Sequence, residues 1–337
     1  MRNFEFVNAA TTERAIELLG TDRGRAQILA GGTDLLDELK EGLIAPERLV
    51  NLKANKNLKY LRFSPADGLK IGALTTLSDL EENAAVRERY PMLAAAVRVI
   101  ASPQIRNMAT VGGNLCQRPR CWYYRNDALD CARKGGPICY AVSGENQYHA
   151  ILGGHLCFIV HPSDLAPALI AHEAKITYAG LAPSGAEEPV GRKTIPLAEF
   201  FVGPERDITR ETVLEPNEVV EEISVPAPAA NARGVYLKVR ERSTWDFSTL
   251  SVAALVEMDG AVCRRARIVL GAVAPVPWPA PEADKVLTGA RITPAVARQA
   301  AEAALRGARP MSHNAYKLPL AKNLVRRAIL EAAGTLT

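Results

Sequence analysis

The sequence predicts an α+β protein made of three consecutive units, and three observations carry that reading. A strand–helix–strand pattern fills residues 1–57, turn-linked paired strands open residues 58–224, and a hairpin followed by helices makes up residues 225–337. A chain of 337 residues has ample material for two or three buried cores.

Taken in order, TTERAIELLG has Thr cap candidates, Glu13 in the first turn, Ile16, Leu18 and Leu19 on one face, and Gly20 as a stop. AQILA is a short strand, GG a turn, and Thr33 an N-cap for a helix bearing Leu35, Leu36 and Leu39; RLVNL is the next strand. KYLRF and LKIGA pair across SPADG. A helical region interrupted at Pro91 leads to ASPQIRNMATVGGNL. Residues 116–157 lack periodicity and read as an irregular insertion. DLAPALIAHEA is then a helix and AKITYAG a strand. STLSVAALVEM and CRRARIVLGAV flank Asp259–Gly260 as a hairpin. One closing helix opens with Thr293–Pro294 and buries Val296, Ala300, Ala304 and Leu305; the other is KNLVRRAILEAAG, ended by Gly334.

Composition narrows the function classes. Hydrophobic residues make up 48% and charged residues 23%, and the formal charge is only +4 with Lys and Arg scattered, so nucleic acid is not an expected partner. No apolar run reaches the ~18 residues of a spanning helix, and Arg98 interrupts LAAAVRVIA, so no membrane insertion is expected. The start, MRNFEFVNAATTERA, has neither an apolar signal core nor a twin-Arg pair.

Two Gly-Gly pairs stand out, in AGGTDLL and in VGGNL. Such a pair lets the backbone take positive φ and approach a ligand with no Cβ in the way, and its free N–H groups suit an anion. Neither is a Walker loop, since no Lys follows, nor the dinucleotide fingerprint, since the third Gly is missing. Two turns from neighbouring lobes suit the pyrophosphate of a dinucleotide, with Thr33, Asp34, Thr110 and Asn114 beside them; the plainer reading has Asp34 and Asn114 merely capping turns.

LAGGTDLL, ATVGGNL, HPSDLAPAL and YLKVRERSTWDFS, in this order, resemble the FAD-binding medium subunits of the molybdenum hydroxylases, and the similarity covers essentially the whole chain. The resemblance implies a two-lobed FAD-binding domain of the p-cresol methylhydroxylase/vanillyl-alcohol oxidase type, then a small α+β domain with an antiparallel sheet. It places Leu29, Ala30, Gly31, Gly32, Thr33, Asp34, Leu35 and Leu36 around the FAD pyrophosphate. Thr110, Gly113 and Asn114 hold the cofactor from the second lobe, and Asp164 adds a polar contact. Lys238 lies near the isoalloxazine, where a cation stabilises charge on reduced flavin. Ile100, Gly112 and Leu214 complete the set. Read without the family, Lys238 is an edge-strand charge facing water.

Five of the six cysteines, Cys116, Cys121, Cys131, Cys139 and Cys157, fall within the insertion, and Cys263 stands alone as a core or surface thiol. With no export signal, such clustering favours a metal site over disulfides. The spacing C-x9-C-x7-C-x17-C from Cys121 to Cys157 lacks the close ligand pairs of structural zinc and suits an iron–sulfur cube better. His149, His155 and His161 keep a mixed Cys/His zinc site open, with backbone hydrogen bonding their plainer role, and Cys116 competes with Cys121 as a ligand. Trp122, Tyr123 and Tyr124 are expected to form the insertion's own small core.

Two subgroups of the family have a comparable insertion holding one 4Fe–4S cluster, the medium subunits of 4-hydroxybenzoyl-CoA reductase and of the periplasmic-type aldehyde oxidoreductase. QRPRCWYYRND and YHAILGGHLCFIVHPSD resemble the second. This implies an electron-transfer subunit without substrate chemistry of its own. A large molybdopterin-binding partner oxidises the substrate, and a small partner with two 2Fe–2S clusters passes electrons to FAD here and on to an external acceptor. It also implies export to the periplasm as a folded complex on a partner's twin-Arg signal, with the cytoplasm as alternative. The rival readings are a xanthine dehydrogenase-like or hydroxybenzoyl-CoA reductase-like complex, a stand-alone flavin oxidase, and a zinc-bearing scaffold with no flavin.

Overall fold

Three separate sheets carry the chain, and the computed structural model describes residues 1–182 and 190–335 of it. The first sheet is wholly parallel. It is formed by β1 (Glu5–Asn8), β2 (Ala26–Leu29) and β3 (Arg48–Asn51) in the order β1-β3-β2, with α1 (Thr12–Leu19) and α2 (Leu35–Lys40) as crossovers. In α1 the Thr11 hydroxyl accepts from the Arg14 N–H, Gly20 at φ 63° ends the helix, and Ala15, Ile16, Leu18 and Leu19 are buried. At α2 the expected Thr33 cap is replaced by Asp34, whose side chain does not cap the helix because it is engaged elsewhere.

The second sheet is antiparallel. Its edge pair is the expected hairpin, β4 (Leu61–Ser64) and β5 (Gly68–Gly72). The helical region is more broken than Pro91 alone implied: α3 (Leu77–Glu82), α4 (Ala84–Arg89), then α5 (Pro91–Arg98) with Pro91 in its first turn. Two more short helices follow, α6 (Pro103–Met108) and α7 (Val111–Leu115). The second glycine pair is therefore not a strand-to-helix turn; Gly112 and Gly113 lie inside α7, and the preceding element is a helix. The insertion contains two single 3₁₀ turns, at Ala132–Lys134 and Tyr140–Val142. Beyond it come α8 (Leu165–Ala171), β6 (Lys175–Leu181), β7 (Val190–Pro196) and β8 (Val219–Val225), giving the order β4-β5-β8-β6-β7.

The third sheet, order β12-β11-β10-β9, is also antiparallel. It contains β9 (Ala232–Val239), β10 (Leu250–Asp259), β11 (Val262–Gly271) and the short β12 (Trp278–Pro279). Gly260 at φ 58° makes the β10–β11 turn. Three helices follow this sheet rather than two: α9 (Pro281–Leu287) and α11 (Lys317–Ala332), which pack on it, and α10 (Pro294–Ala304), which packs on both of them and whose Thr293 cap accepts from the Val296 N–H; α11 starts before KNLVRR. Val296 is only half-buried, whereas Ala300, Ala304 and Leu305 are in the core. One apolar core unites the helices of the second unit with Tyr236, Ala253, Leu255 and Val269 of the third, so these two units share an interior.

Candidate flavin and cysteine site

The first glycine turn meets the second unit backbone to backbone. A Cβ on Gly31 would stand 2.1 Å from the Met108 carbonyl oxygen, so only glycine allows the approach, and Gly32 takes φ 76°. Leu29, Ala30, Gly31, Gly32, Thr33 and Leu35 are half-exposed and Leu36 is exposed, which leaves the turn open on its outer side. Two residues beyond Met108, the Thr110 hydroxyl accepts from the Gly113 N–H at 3.1 Å and caps α7. Gly112 packs against Ala73.

From there a bonded path crosses the molecule. Asn114 Oδ1 accepts from the Ser163 hydroxyl at 2.6 Å. Next in sequence, buried Asp164 accepts from Tyr236 Oη at 2.8 Å, Lys238 Nζ at 2.7 Å and Ser248 Oγ. Lys238 also donates to the carbonyls of Asp246 (2.8 Å) and Val99 (3.1 Å), the latter adjoining Ile100. Its side chain is 3% exposed, so the water-facing alternative is wrong even though β9 is an edge strand. Ile100 is buried, and its carbonyl takes Arg106 Nη1 at 2.8 Å. Leu214 is held separately, its carbonyl accepting from Arg210.

Asp34 does something the sequence did not suggest. Its carboxylate accepts from the Arg118 N–H at 2.7 Å and from Arg125 Nη2 at 2.6 Å, and Arg120 lies 2.9 Å away. It neither caps α2 nor points free for a ligand; it moors the insertion to the first glycine turn. Tyr124 strengthens the mooring by donating to Glu38 on α2 at 2.9 Å, and burial raises the Glu38 carboxyl. Trp122 and Tyr123 do form a small aromatic core, with Tyr140 stacked on Tyr123 and Tyr148 edge-on to Trp122. At the insertion's other side, Arg133 and Arg118 pair with buried Glu211.

Within the insertion Cys139 neighbours Cys157, and Cys121 feels the charge of Cys139 and Cys131. The Cys139 and Cys157 thiols act on each other, which lowers that of Cys139 and raises that of Cys157. Burial pushes Cys121 up to about 11, with charge on Cys139 and Cys131 adding to the rise. Cys121 Sγ lies 3.3 Å from His149 Nε2. Burial pushes Cys116 up to about 12, and its charged neighbour is Glu211 rather than another thiol. Cys263 is a core thiol donating to the Arg265 carbonyl. Among the described residues, no group of three or more His, Cys, Asp or Glu closes around a single ion. His155 is exposed, and His161 Nδ1 accepts from the Ser163 N–H, so the mixed zinc site is not built here.

A cavity of about 400 Å³ opens between the insertion, the 160–164 segment and the loop after β9. Arg120, Trp122, His149, Asp164, Glu241 and Phe247 are among its walls. Within that loop Trp245 takes φ 50°, and its N–H donates to Ala101, itself at φ 46°; such strain in non-glycine residues gathers at functional sites. Of the residues lining this cavity the sequence points to Asp164 and Cys121 as site residues; Phe247 is missed, although an aromatic in the turn-rich STWDFS is a usable signal.

An open glycine turn abuts the second unit, a buried cation–carboxylate pair joins the second unit to the third, and a cysteine-bearing loop is added within the second; the family matches assign this arrangement to the FAD-binding proteins. Residues 2–127 and 141–228 match the model described as the FAD binding domain in molybdopterin dehydrogenase, and residues 235–332 match the CO dehydrogenase flavoprotein C-terminal domain. The chain belongs to the FAD-binding medium subunits of the molybdenum hydroxylase family. The aldehyde oxidoreductase FAD-binding subunit PaoB of Escherichia coli K12 is 34% identical, over 91% of each chain. The carbon monoxide dehydrogenase medium chain of Hydrogenophaga pseudoflava is 30% identical, over 97% of this chain and 96% of that one. Among solved structures, carbon monoxide dehydrogenase from that organism superposes with TM-score 0.76 at 30% identity, covering 99% and 98% of the two chains. Quinoline 2-oxidoreductase from Pseudomonas putida 86 gives 0.74 at 26%, covering 100% and 99%.

Proposed function

We propose that this chain is the FAD- and 4Fe–4S-bearing electron-transfer subunit of a molybdenum-dependent aldehyde oxidoreductase. In this reading a large molybdopterin-binding subunit oxidises the aldehyde, and a small subunit with two 2Fe–2S clusters delivers the electrons here. The observation that carries it is that Cys139 neighbours Cys157 and that Cys121 feels the charge of Cys139 and Cys131, in an insertion moored by Asp34 to the first glycine turn. Four thiols with no carboxylate among them are the donor chemistry of an iron–sulfur cluster, and the reading rests on that chemistry, since among the described residues no group of three or more His, Cys, Asp or Glu is placed to hold an ion. The 34% identity to a protein named as an aldehyde oxidoreductase subunit supports the substrate class.

Bound FAD exchanges electrons singly or in pairs and so joins one-electron centres to a two-electron acceptor. The chain's own residues position it. The Gly31–Gly32 turn offers amides to the pyrophosphate. The Lys238 ammonium, fixed by Asp164 and two carbonyls, supplies a positive charge that does not have to reorganise. Trp122 and Phe247 give the adjoining cavity apolar walls.

The test is metal analysis of the assembled complex. About eight irons per FAD are expected, four of them in the partner's clusters, and Cys131→Ser lowers this to about four while FAD stays bound. Full iron content in that variant would refute the ligand set.

A further inference from the structure

One buried cation has no part in this scheme. Lys317, the first residue of α11, is 0% exposed, and its Nζ donates to the carbonyls of Tyr148 (2.9 Å), His149 (3.2 Å) and Ala272 (3.0 Å). Three carbonyls use three N–H bonds, which only the ammonium form has; a neutral amine would turn its lone pair toward one of the oxygens. Buried lysines are ordinarily paired with an acid, yet no carboxylate pairs with this one among the described residues. Burial pulls it down to about 7, so the ammonium that these three bonds require is complete only below neutral pH.

The two carbonyls from the insertion belong to Tyr148 and to His149, the residue that touches Cys121. Its ring lies edge-on to Trp122, with Nε2 3.3 Å from Cys121 Sγ and a buried Nδ1 that has no partner. A metal-bound thiolate has no proton to give, so the hydrogen of this contact sits on Nε2 and points at sulfur. The segment leading into α11 braces the arrangement. The Arg309 N–H donates to the Ile151 carbonyl at 2.7 Å, the His313 N–H to Asn146 Oδ1 at 2.9 Å, Asn314 Nδ2 to the His149 carbonyl at 3.1 Å, and Tyr316 Oη to the Gln147 carbonyl at 2.9 Å.

We propose that Lys317 and His149 are positioning residues that raise the reduction potential of the cluster held by the four cysteines, one by a fixed positive charge and the other by an N–H bond to Cys121. The inference rests on the cluster reading above. On reduction the cube gains one electron, with no bond broken and no proton moved, and the added negative charge spreads onto its sulfurs. Charge and hydrogen bonds at sulfur stabilise that form. The electron comes from the small subunit's reduced clusters in turnover and from dithionite in the test.

The experiment, run below neutral pH where the Lys317 ammonium is complete, is a dithionite titration of the assembled complex, with redox mediators, followed by electron paramagnetic resonance. At the potential where the wild-type cluster is half reduced, Lys317→Met should show a reduced-to-oxidised ratio about tenfold lower, equivalent to about 59 mV for one electron. His149→Phe, which keeps every backbone contact to Lys317, should shift the same way by a smaller factor, and Lys317→Arg should return toward wild type. FAD content should not change. Ratios within twofold of wild type in both Lys317→Met and His149→Phe, with the cluster intact, overturn the proposal. If Lys317→Met fails to assemble, an unshifted His149→Phe overturns it alone. A wild-type complex with only the partner's four irons refutes the cluster reading, and this inference with it.

Discussion

Lys238 and Asp164 show how a charge that a lone sequence places in water comes to be buried. Each has more than one partner: the carboxylate takes two hydroxyls besides the ammonium, and the ammonium takes two carbonyls besides the carboxylate. Such a pair adds little net stability over an apolar one, yet breaking it leaves an unmatched charge and costs about 3–5 kcal/mol. Lys238→Met should therefore lose about 3 kcal/mol in urea unfolding of the FAD-free chain. Asp164→Asn should also destabilise, because its amide would face the ammonium. The double variant should lose less than the sum by about 1–3 kcal/mol. Strictly additive losses would show that the two residues do not act as a unit.

At the scale of elements, what could be read depended on whether the signal was local. Helix α1 has its cap, apolar face and glycine stop within ten residues, and the β10–β11 hairpin has its Asp-Gly turn, so both were legible. The mooring of the insertion was not, because Asp34 meets partners 84 and 91 positions away. VGGNL was misread for a different reason: two glycines argue for a turn, whereas the Thr110 cap and the packing of Gly112 on Ala73 hold them in a helix. Helix α9 was missed because it is only seven residues long, follows a proline-rich stretch, and buries just Ala283 and Leu287. That helix has a titratable anchor. Asp284 accepts from the Ile268 N–H at 2.8 Å, and burial pushes its carboxyl from 3.8 up to about 7. The folded chain thus holds a proton the unfolded chain has lost, so this site's contribution to stability falls as pH rises from about 4 to about 7. Asp284→Asn keeps the acceptor oxygen and removes the titration. Relative to wild type, the variant should gain stability between pH 4.5 and 7.5 by urea midpoint; an equal difference at both values would disprove the effect.

Across the whole molecule, the cofactor site proposed above draws on three units, each with its own sheet. The first unit contributes an open turn, the second the capped α7 and Asp164, and the third Lys238, while the segment before α11 reaches back to hold the insertion. A ligand gripped by several units should stabilise them together, and by mass action FAD at a hundredfold over its Kd adds about 2.7 kcal/mol. Titrating FAD into the apo chain should raise the melting temperature by a few degrees in a single transition. Gly31→Ala should abolish that rise, because its methyl would stand 2.1 Å from the Met108 oxygen and force the two units apart at the pyrophosphate turn. Gly20→Ala provides the contrast. It strains a positive φ in open space, so it should lower the starting melting temperature yet leave the FAD-dependent rise intact. A full rise in Gly31→Ala would mean that the first turn does not grip the cofactor.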